Sequence, residues 1–186
     1  TTLVIAGASG PFTAGAAASV TVTAKDAQGN TATGYAGTVT FNSDDGLAVL
    51  PGASDFTGLS GVKTVSVTFK TAGVKFLAAT DNVTASISAT QSSITINPSA
   101  ATTLLVAGHA SPVNAGTSNN FTITAKDAYG NVATGYLGTV TLSSDDVTAT
   151  LPGNYPFIGG DAGVKTLAAT LRTVGSRSII AADTVT

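Results

Sequence analysis

The stretch TVTAKDAQGNTATGYAGTVTFNSDDGLAVLPG at residues 21–52 returns as TITAKDAYGNVATGYLGTVTLSSDDVTATLPG at residues 122–153. The two stretches are identical at 23 of 32 positions, at a constant offset of 101 residues. A period of this length corresponds to a whole small domain and exceeds the roughly 20–50 residues of a solenoid repeat. The 186-residue chain is therefore predicted to contain two copies of one domain, residues 1–98 and 99–186, joined by the linker Asn97–Ala101.

Short runs of alternating apolar and polar residues fill most of each copy. Val20, Val22 and Ala24 share one face of such a run, with threonines between them, because successive side chains of a strand point to opposite sides. Gly, Pro, Asn and Asp punctuate the runs as turn residues do. The pattern predicts seven strands in the first copy, at residues 2–7, 17–26, 36–43, 47–50, 62–70, 74–81 and 86–96. It predicts an all-β chain of two tandem immunoglobulin-like antiparallel β-sandwiches.

The second copy ends before it reaches a counterpart of the last predicted strand, residues 86–96. Two interpretations are open. Either the segment ends arbitrarily or in a disordered tail, or a neighbouring subunit supplies the strand by β-augmentation, which would join subunits head to tail into a fibre. An unpaired sandwich edge beside an apolar face is a liability that stable proteins cover. The second sandwich is therefore predicted to lack its last strand.

The amino-acid composition excludes several classes of function. Charged residues make up only 10% of the chain, while threonine occurs 32 times and supplies polarity without charge. Eight basic residues and a net charge of −2 provide no basic surface for nucleic acid. The lack of Cys in the sequence excludes disulfides, thiolate metal sites and thiol catalysis. No segment reaches the roughly 20 consecutive apolar residues of a membrane helix, so no membrane span is predicted in this segment.

Two segments of the first copy carry a family resemblance. AKDAQGNTATGYAGTVTF at residues 24–41, followed by GVKTVSVTFKTAGVKFLAATD at residues 61–81, resembles the bacterial immunoglobulin-like repeat of the invasin/intimin type, which has filamin-like relatives. The resemblance covers nearly all of the first copy and all of the second except its final strand. It implies a secreted or surface-displayed rod, often the stalk of an adhesin, with no catalytic residues to transfer.

Asp44, Asp45, Asp145 and Asp146 are the candidate metal ligands, because each SDD motif places two carboxylates side by side on a predicted loop. Calcium prefers several oxygen ligands at about 2.3–2.6 Å. Two adjacent carboxylates cannot fill its coordination shell, and the chain lacks D-x-D-x-D-G spacing. The alternative is a solvated turn that binds no metal. Calcium binding at these four aspartates therefore stays a hypothesis, and no other cofactor is predicted.

Two further motifs occur in both copies. The KDA-GN motif, which contains Asp26 and Asp127, is predicted to form a strand-to-strand turn closed by the Asp side chain. Tyr35 and Tyr136 stand in TGY-GT motifs. We interpret them as tyrosines packed across one end of each sandwich and not as platforms for sugars.

The sequence gives no support for catalysis. His109 is the single histidine and lies in a predicted turn. No nucleophile motif such as G-x-S-x-G accompanies it, and the chain has no Glu or Cys, so we predict that the protein is not an enzyme. Asn82 and Asn120 stand in N-x-T sequons, which would be glycosylated only in a host that modifies them.

These features favour a non-catalytic structural repeat of an extracellular or cell-surface bacterial protein. Such a segment would act as a stalk, spacer or fibre-forming element, and its partners would be neighbouring repeats or subunits of the same protein, through strand exchange in the fibre case. The alternative function is an adhesive or carbohydrate-binding accessory module of a secreted enzyme or adhesin. Its partner would be a cell-surface glycan or protein.

Overall fold

The computed structural model describes residues 1–185, which form two compact units, Thr1–Asn97 and Pro98–Thr186. The boundary predicted after residue 98 lies one residue beyond this division. Apart from one short 3-10 helix, Gly159–Asp161, the regular structure of the described residues is all β-strand. The all-β fold predicted from the alternating pattern is confirmed.

The first unit contains eight strands in two sheets. They are β1 (Thr2–Ala6), β2 (Phe12–Thr13), β3 (Ala17–Lys25), β4 (Thr38–Asn42), β5 (Ser54–Asp55), β6 (Val62–Thr68), β7 (Gly73–Asp81) and β8 (Ser88–Asn97). One sheet has the order β1-β3-β6 and the other the order β2-β8-β7-β4-β5. Neighbouring strands are antiparallel, except that β2 runs parallel to β8.

The second unit repeats six of these strands. They are β9 (Thr103–Ala107), β10 (Ser118–Lys126), β11 (Thr139–Ser144), β12 (Tyr155–Pro156), β13 (Val164–Thr170) and β14 (Ile179–Asp183). Its sheets have the orders β13-β10-β9 and β12-β11-β14. Among residues 98–185 nothing corresponds to β2 or to β8, as expected for a second sandwich without its last strand.

The inward faces of the two sheets form one core in each unit. In β3 the side chains of Val20, Val22 and Ala24 are fully buried, while the threonines between them are half-buried. Phe121, Ile123 and Ala125 take the same places in β10. Each core also contains a buried phenylalanine that directly follows the two-residue strand β5 or β12, and residues of the facing sheet (Phe56, Val39 and Ala79 in the first unit; Phe157 and Val140 in the second).

The strand predicted at residues 47–50 is wrong. This segment makes only the single bridge between Val49 and Thr68, and Leu47 and Val49 are 54% and 53% exposed. The short strand β5 pairs with β4 instead. The apolar residues of 47–50 resemble a strand in sequence, but Leu47 and Val49 are largely exposed and therefore gain little from burial.

Candidate functional site

The motif Ser43-Asp44-Asp45 follows β4 and forms hydrogen bonds to β7 and to the turn between β6 and β7. The Ser43 hydroxyl donates a hydrogen bond to the Phe76 carbonyl at 2.7 Å. Asp44 Oδ1 accepts one from the Phe76 amide at 2.9 Å. Asp45 accepts four hydrogen bonds, and their donors are three backbone amides and one hydroxyl (Leu47 N, Lys70 N, Thr71 N and Thr71 Oγ1). The motif therefore acts as a structural anchor.

The second unit repeats this anchor with Ser144, Asp145 and Asp146. The Ser144 hydroxyl donates to the Ser178 carbonyl at 2.7 Å, and Asp145 Oδ1 accepts from the Ser178 amide at 2.7 Å. Asp146 accepts five hydrogen bonds. Two come from Thr148, close in sequence, and three from Arg172 and Thr173, which follow β13 (Thr148 N, Thr148 Oγ1, Arg172 N, Thr173 N and Thr173 Oγ1). The same residue types at the same spacing thus produce the same anchor in both units.

The interpretation of these motifs as solvated turns is wrong for the second aspartate of each pair. Asp45 is 4% exposed and Asp146 is 3% exposed. Burial raises the pKa of Asp45, but the hydrogen bonds from Thr71, Lys70 and Leu47 together outweigh burial and lower that pKa below its ordinary value. The Thr173 amide is the main group that lowers the pKa of Asp146. Both carboxylates are therefore ionised at neutral pH inside the fold.

These contacts bear on the calcium hypothesis. The carboxylate oxygens of Asp44, Asp45, Asp145 and Asp146 already accept hydrogen bonds from amides and hydroxyls. A calcium ion at these carboxylates would compete with the donors for oxygen lone pairs and would need further oxygen ligands. Within residues 1–185 no three His, Cys, Asp or Glu side chains are grouped closely enough to hold a metal ion. Calcium at the four aspartates stays a prediction.

The KDA-GN motif forms the predicted turn after β3. Asp26 Oδ1 accepts hydrogen bonds from the amides of Gln28 and Asn30 at 3.0 and 2.8 Å. Gly29 has a φ of 83°, which a residue with a side chain adopts only at a cost. In the second unit Asp127 makes the equivalent bonds and also accepts the amide and hydroxyl of Ser99. The turn interpretation is confirmed, and the motif is structural in both units.

Each TGY-GT tyrosine packs across the sandwich as predicted, and it also has an acidic partner that the sequence did not reveal. Tyr35 packs edge-to-face on Phe56 with ring centroids 5.4 Å apart, and its hydroxyl donates to Asp81. Tyr136 donates to Asp183 in the same way at 2.5 Å. The aspartate that ends both β7 (AATD) and β14 (IAAD) was the available signal, but a partner 46 residues away cannot be read from local spacing.

The glycine of the TGY-GT motif is required by this pair. A Cβ atom on Gly37 would overlap the Asp81 carboxylate and the Tyr35 hydroxyl. Gly138 stands in the same relation to the tyrosine and aspartate of the second unit. The spacing TGY-GT therefore encodes a close approach of backbone, hydroxyl and carboxylate, which only a glycine can accommodate.

The histidine and the two sequon asparagines considered in the sequence analysis are not part of these anchors. His109 is half-buried, and its Nδ1 lies 3.1 Å from the Ala110 carbonyl oxygen. Asn82 and Asn120 are exposed, and glycosylation at either stays a prediction. Among the described residues there is no helix that could cross a membrane.

One edge of the second unit is open. β14 pairs with β11 and, among the described residues, with no other strand, whereas β7 in the first unit is paired with both β4 and β8. Two cavities border β14 at its opposite ends. The larger has a volume of about 660 Å³ and the smaller about 330 Å³. Together with the edge of β14 they form a groove, which we call the β14 groove.

No protein-family model matches this chain, and no curated protein matches it. Among solved structures, the chain is similar to FdeC, a broadly conserved Escherichia coli adhesin, with 21% identity and a TM-score of 0.45 over 98% of this chain. It spans 59% of the length of that structure.

The chain is also similar to two structures of the S-layer protein SbsC. For domains 4 and 5 the identity is 21% and the TM-score 0.36, over 100% of this chain and 94% of that one. For domains 5–6 the identity is 17% and the TM-score 0.36, over 97% and 89% of the two chains. The similar solved structures are thus a bacterial adhesin and S-layer domains, and at these values the likeness carries no information on function.

Proposed function

We propose that the chain is a non-catalytic structural repeat of an extracellular bacterial surface protein, of the invasin/intimin type that its motifs resemble. It acts as a stalk or spacer, or as a segment of a fibre, and its partners are neighbouring repeats or subunits of the same protein. The extracellular location is part of this proposal.

The use of the aspartates is the observation that carries the proposal. All ten acidic side chains accept a hydrogen bond from a backbone amide of their own unit. The chain has one His and no Glu or Cys, so carboxylates are its main source of acid–base or metal-binding chemistry. A chain in which every carboxylate accepts a hydrogen bond from its own backbone, in both units, is suited to a structural role.

The strand pairing of the first unit suits a load-bearing role. β2 lies near the N-terminus of the unit, β8 ends it, and the two strands run parallel, with Phe12 and Thr13 opposite Ile96 and Asn97. The Ala14 amide adds a bond to the Asn97 carbonyl at 2.8 Å. A pull on the two ends of the unit therefore shears these hydrogen bonds together and does not open them one at a time.

Single-molecule force spectroscopy on the 186-residue chain tests the stalk role. We expect two separate unfolding events, each releasing roughly 300 Å of chain at about 3.3–3.6 Å per residue. The first unit should unfold at the higher force, because among the described residues the second has no parallel pair equivalent to β2–β8. Extension of both units at the lowest measurable force, without discrete events, would contradict a stalk.

A glycan array separates this role from the adhesive alternative. The stalk proposal predicts no saturable signal from the labelled chain. Saturable binding of one glycan class, abolished by a single surface substitution, would instead establish a carbohydrate-binding module. The two experiments are independent, so each function can fail on its own.

A further inference from the structure

The β14 groove occupies the place that β8 fills in the first unit. There, β8 pairs with β7 from Gly73 to Thr80 and also packs against β1. In the second unit the cavities at the two ends of β14 lie between this strand and β9. The larger is lined by apolar side chains together with a histidine and an arginine (Val106, His109, Val113, Leu171, Arg177 and Ile179). The smaller is lined by Leu104, Tyr136 and Ala181 among others.

The strands next to the groove are shorter than their counterparts. β7 begins at Gly73, but β14 begins at Ile179, and the equivalent segment Gly175–Ser178 is not strand. Val113 and Asn114 correspond to the residues of β2 and are likewise not strand. In the first unit β8 gives both of these neighbours their hydrogen-bond partners, and among the described residues of the second unit no strand does so.

Side chains that β8 shields from water in the first unit have counterparts in the second unit that are more exposed to water. Leu77 and Ala79 of β7 are fully buried, while their counterparts Ile179 and Ala181 are half-buried. Ala14 is buried, and its counterpart Ala115 is exposed. The groove therefore presents apolar surface that one added strand would remove from water.

Two buried polar atoms at the groove also lack partners among the described residues. They are His109 Nε2 and Arg177 Nε. Since His109 Nδ1 contacts a carbonyl oxygen, Nδ1 carries a proton, and Nε2 is the ring nitrogen that still needs a hydrogen-bond partner. Arg177 Nε donates one. The backbone of an extended peptide offers both an N–H and a C=O, so it can satisfy both atoms.

We propose that the β14 groove is an acceptor site for one β-strand with the side-chain chemistry of β8, supplied from outside residues 1–185. The strand runs antiparallel to β14, as β8 does to β7. It places two β-branched apolar residues into the groove at the positions of Ile94 and Ile96, which are 0% and 2% exposed in the first unit. Ser and Thr occupy its solvent-facing positions, as Thr95 does in β8.

A second copy of residues 1–185 is a poor donor. β8 is paired on both sides and holds Ile94 and Ile96 in the first core. β1 is paired along its length with β3. Either strand would have to leave its own sandwich, which would expose that core to water. The inference concerns only this edge and holds whether or not the protein is a surface stalk.

Peptide binding tests the acceptor site. The probe is a labelled peptide with the sequence of residues 86–97, SISATQSSITIN, and its anisotropy is measured against the 186-residue chain. We expect saturable binding with one peptide per chain. The same peptide carrying Ile94→Asn and Ile96→Asn is the control and should lose saturable binding, because two polar amides would replace the apolar side chains without offering a charge to Arg177. Equal binding of both peptides would overturn the proposal.

A chain that fills its own groove provides the second test and is independent of peptide solubility. Residues Ala85–Asn97 are appended after Thr186. The added strand then follows Asp183 at the same spacing at which β8 follows Asp81. We expect slower hydrogen exchange of the β14 amides, a higher unfolding midpoint and loss of saturable peptide binding. Unchanged exchange and an unchanged midpoint would overturn the proposal. A dimer of the original chain in sedimentation, converted to monomer by the appended strand, would also overturn it, because a second copy would then be the occupant.

Discussion

Asp45 connects the end of β4 to the turn after β6 through three hydrogen bonds and accepts a fourth from the nearby Leu47 amide, so it is the residue on which this junction depends. In Asp45→Ala, three backbone amides and the Thr71 hydroxyl lose their acceptor in a buried site. We expect the free energy of unfolding to fall by about 3 kcal/mol, the scale of a broken buried network. Urea unfolding measures the change.

Asp44→Ala is the matched control for this substitution. Asp44 is exposed and accepts a bond from the Phe76 amide, so its removal should cost less than about 1 kcal/mol. If the two substitutions cost the same, the anchor role assigned to Asp45 is wrong.

The aspartates also predict how stability depends on pH. Nine of the ten have a pKa lowered by hydrogen bonds from the fold. A carboxylate with a lowered native pKa stabilises the fold above its unfolded pKa of about 3.9 and loses that contribution as the pH falls through the native value. The urea midpoint should therefore be level from pH 7 to 5 and fall steeply below about pH 4. A midpoint unchanged at pH 2 would contradict these shifts.

Calcium is tested at the same residues. Because the carboxylates of Asp44, Asp45, Asp145 and Asp146 face backbone donors, we expect the same melting temperature in calcium and in chelator. A calcium-dependent rise that disappears in the double substitution Asp44→Asn with Asp45→Asn would establish the metal site.

At the scale of the element, each strand depends on its inward face, and β6 at the edge of its sheet shows this. Val67 in β6 is fully buried, and Val62 in the same strand is 39% exposed. Val67→Ala should lower the free energy of unfolding by about 1–3 kcal/mol, since it removes buried methyl groups and leaves a cavity. Val62→Ala should cost clearly less and serves as the control. Equal losses in urea unfolding would show that β6 does not face the core as described.

At the scale of the whole molecule, the first unit contains all that its fold requires. Both of its sheets and its core are built from residues 1–97, and about a hundred residues can bury a workable core. We expect residues 1–97, produced alone and in chelator, to give a β-rich circular dichroism spectrum and one cooperative thermal transition. A spectrum of unfolded chain would show that the unit needs its neighbour or a metal.

The sequence by itself determined the duplication, the all-β class and the longer strands. Alternation has a period of two residues, so β3, β6 and β7 were predicted from neighbours in sequence. The Asp26 turn was also predictable, because its donors lie two and four residues away. These features leave a pattern within a short stretch of sequence, because alternation follows from the geometry of a strand whichever distant strand it pairs with, and the turn is closed by near neighbours.

Only the tertiary structure decided the burial of Asp45 and Asp146, the Tyr35–Asp81 pair, the two-residue strands β2 and β5, and the surface of the β14 groove. Each of these joins residues that are more than ten positions apart, from 15 between Val39 and Ser54 to 84 between Phe12 and Ile96. Such contacts form only once the two sheets have packed, and a residue's local neighbours do not reveal which distant amide, hydroxyl or strand it will meet.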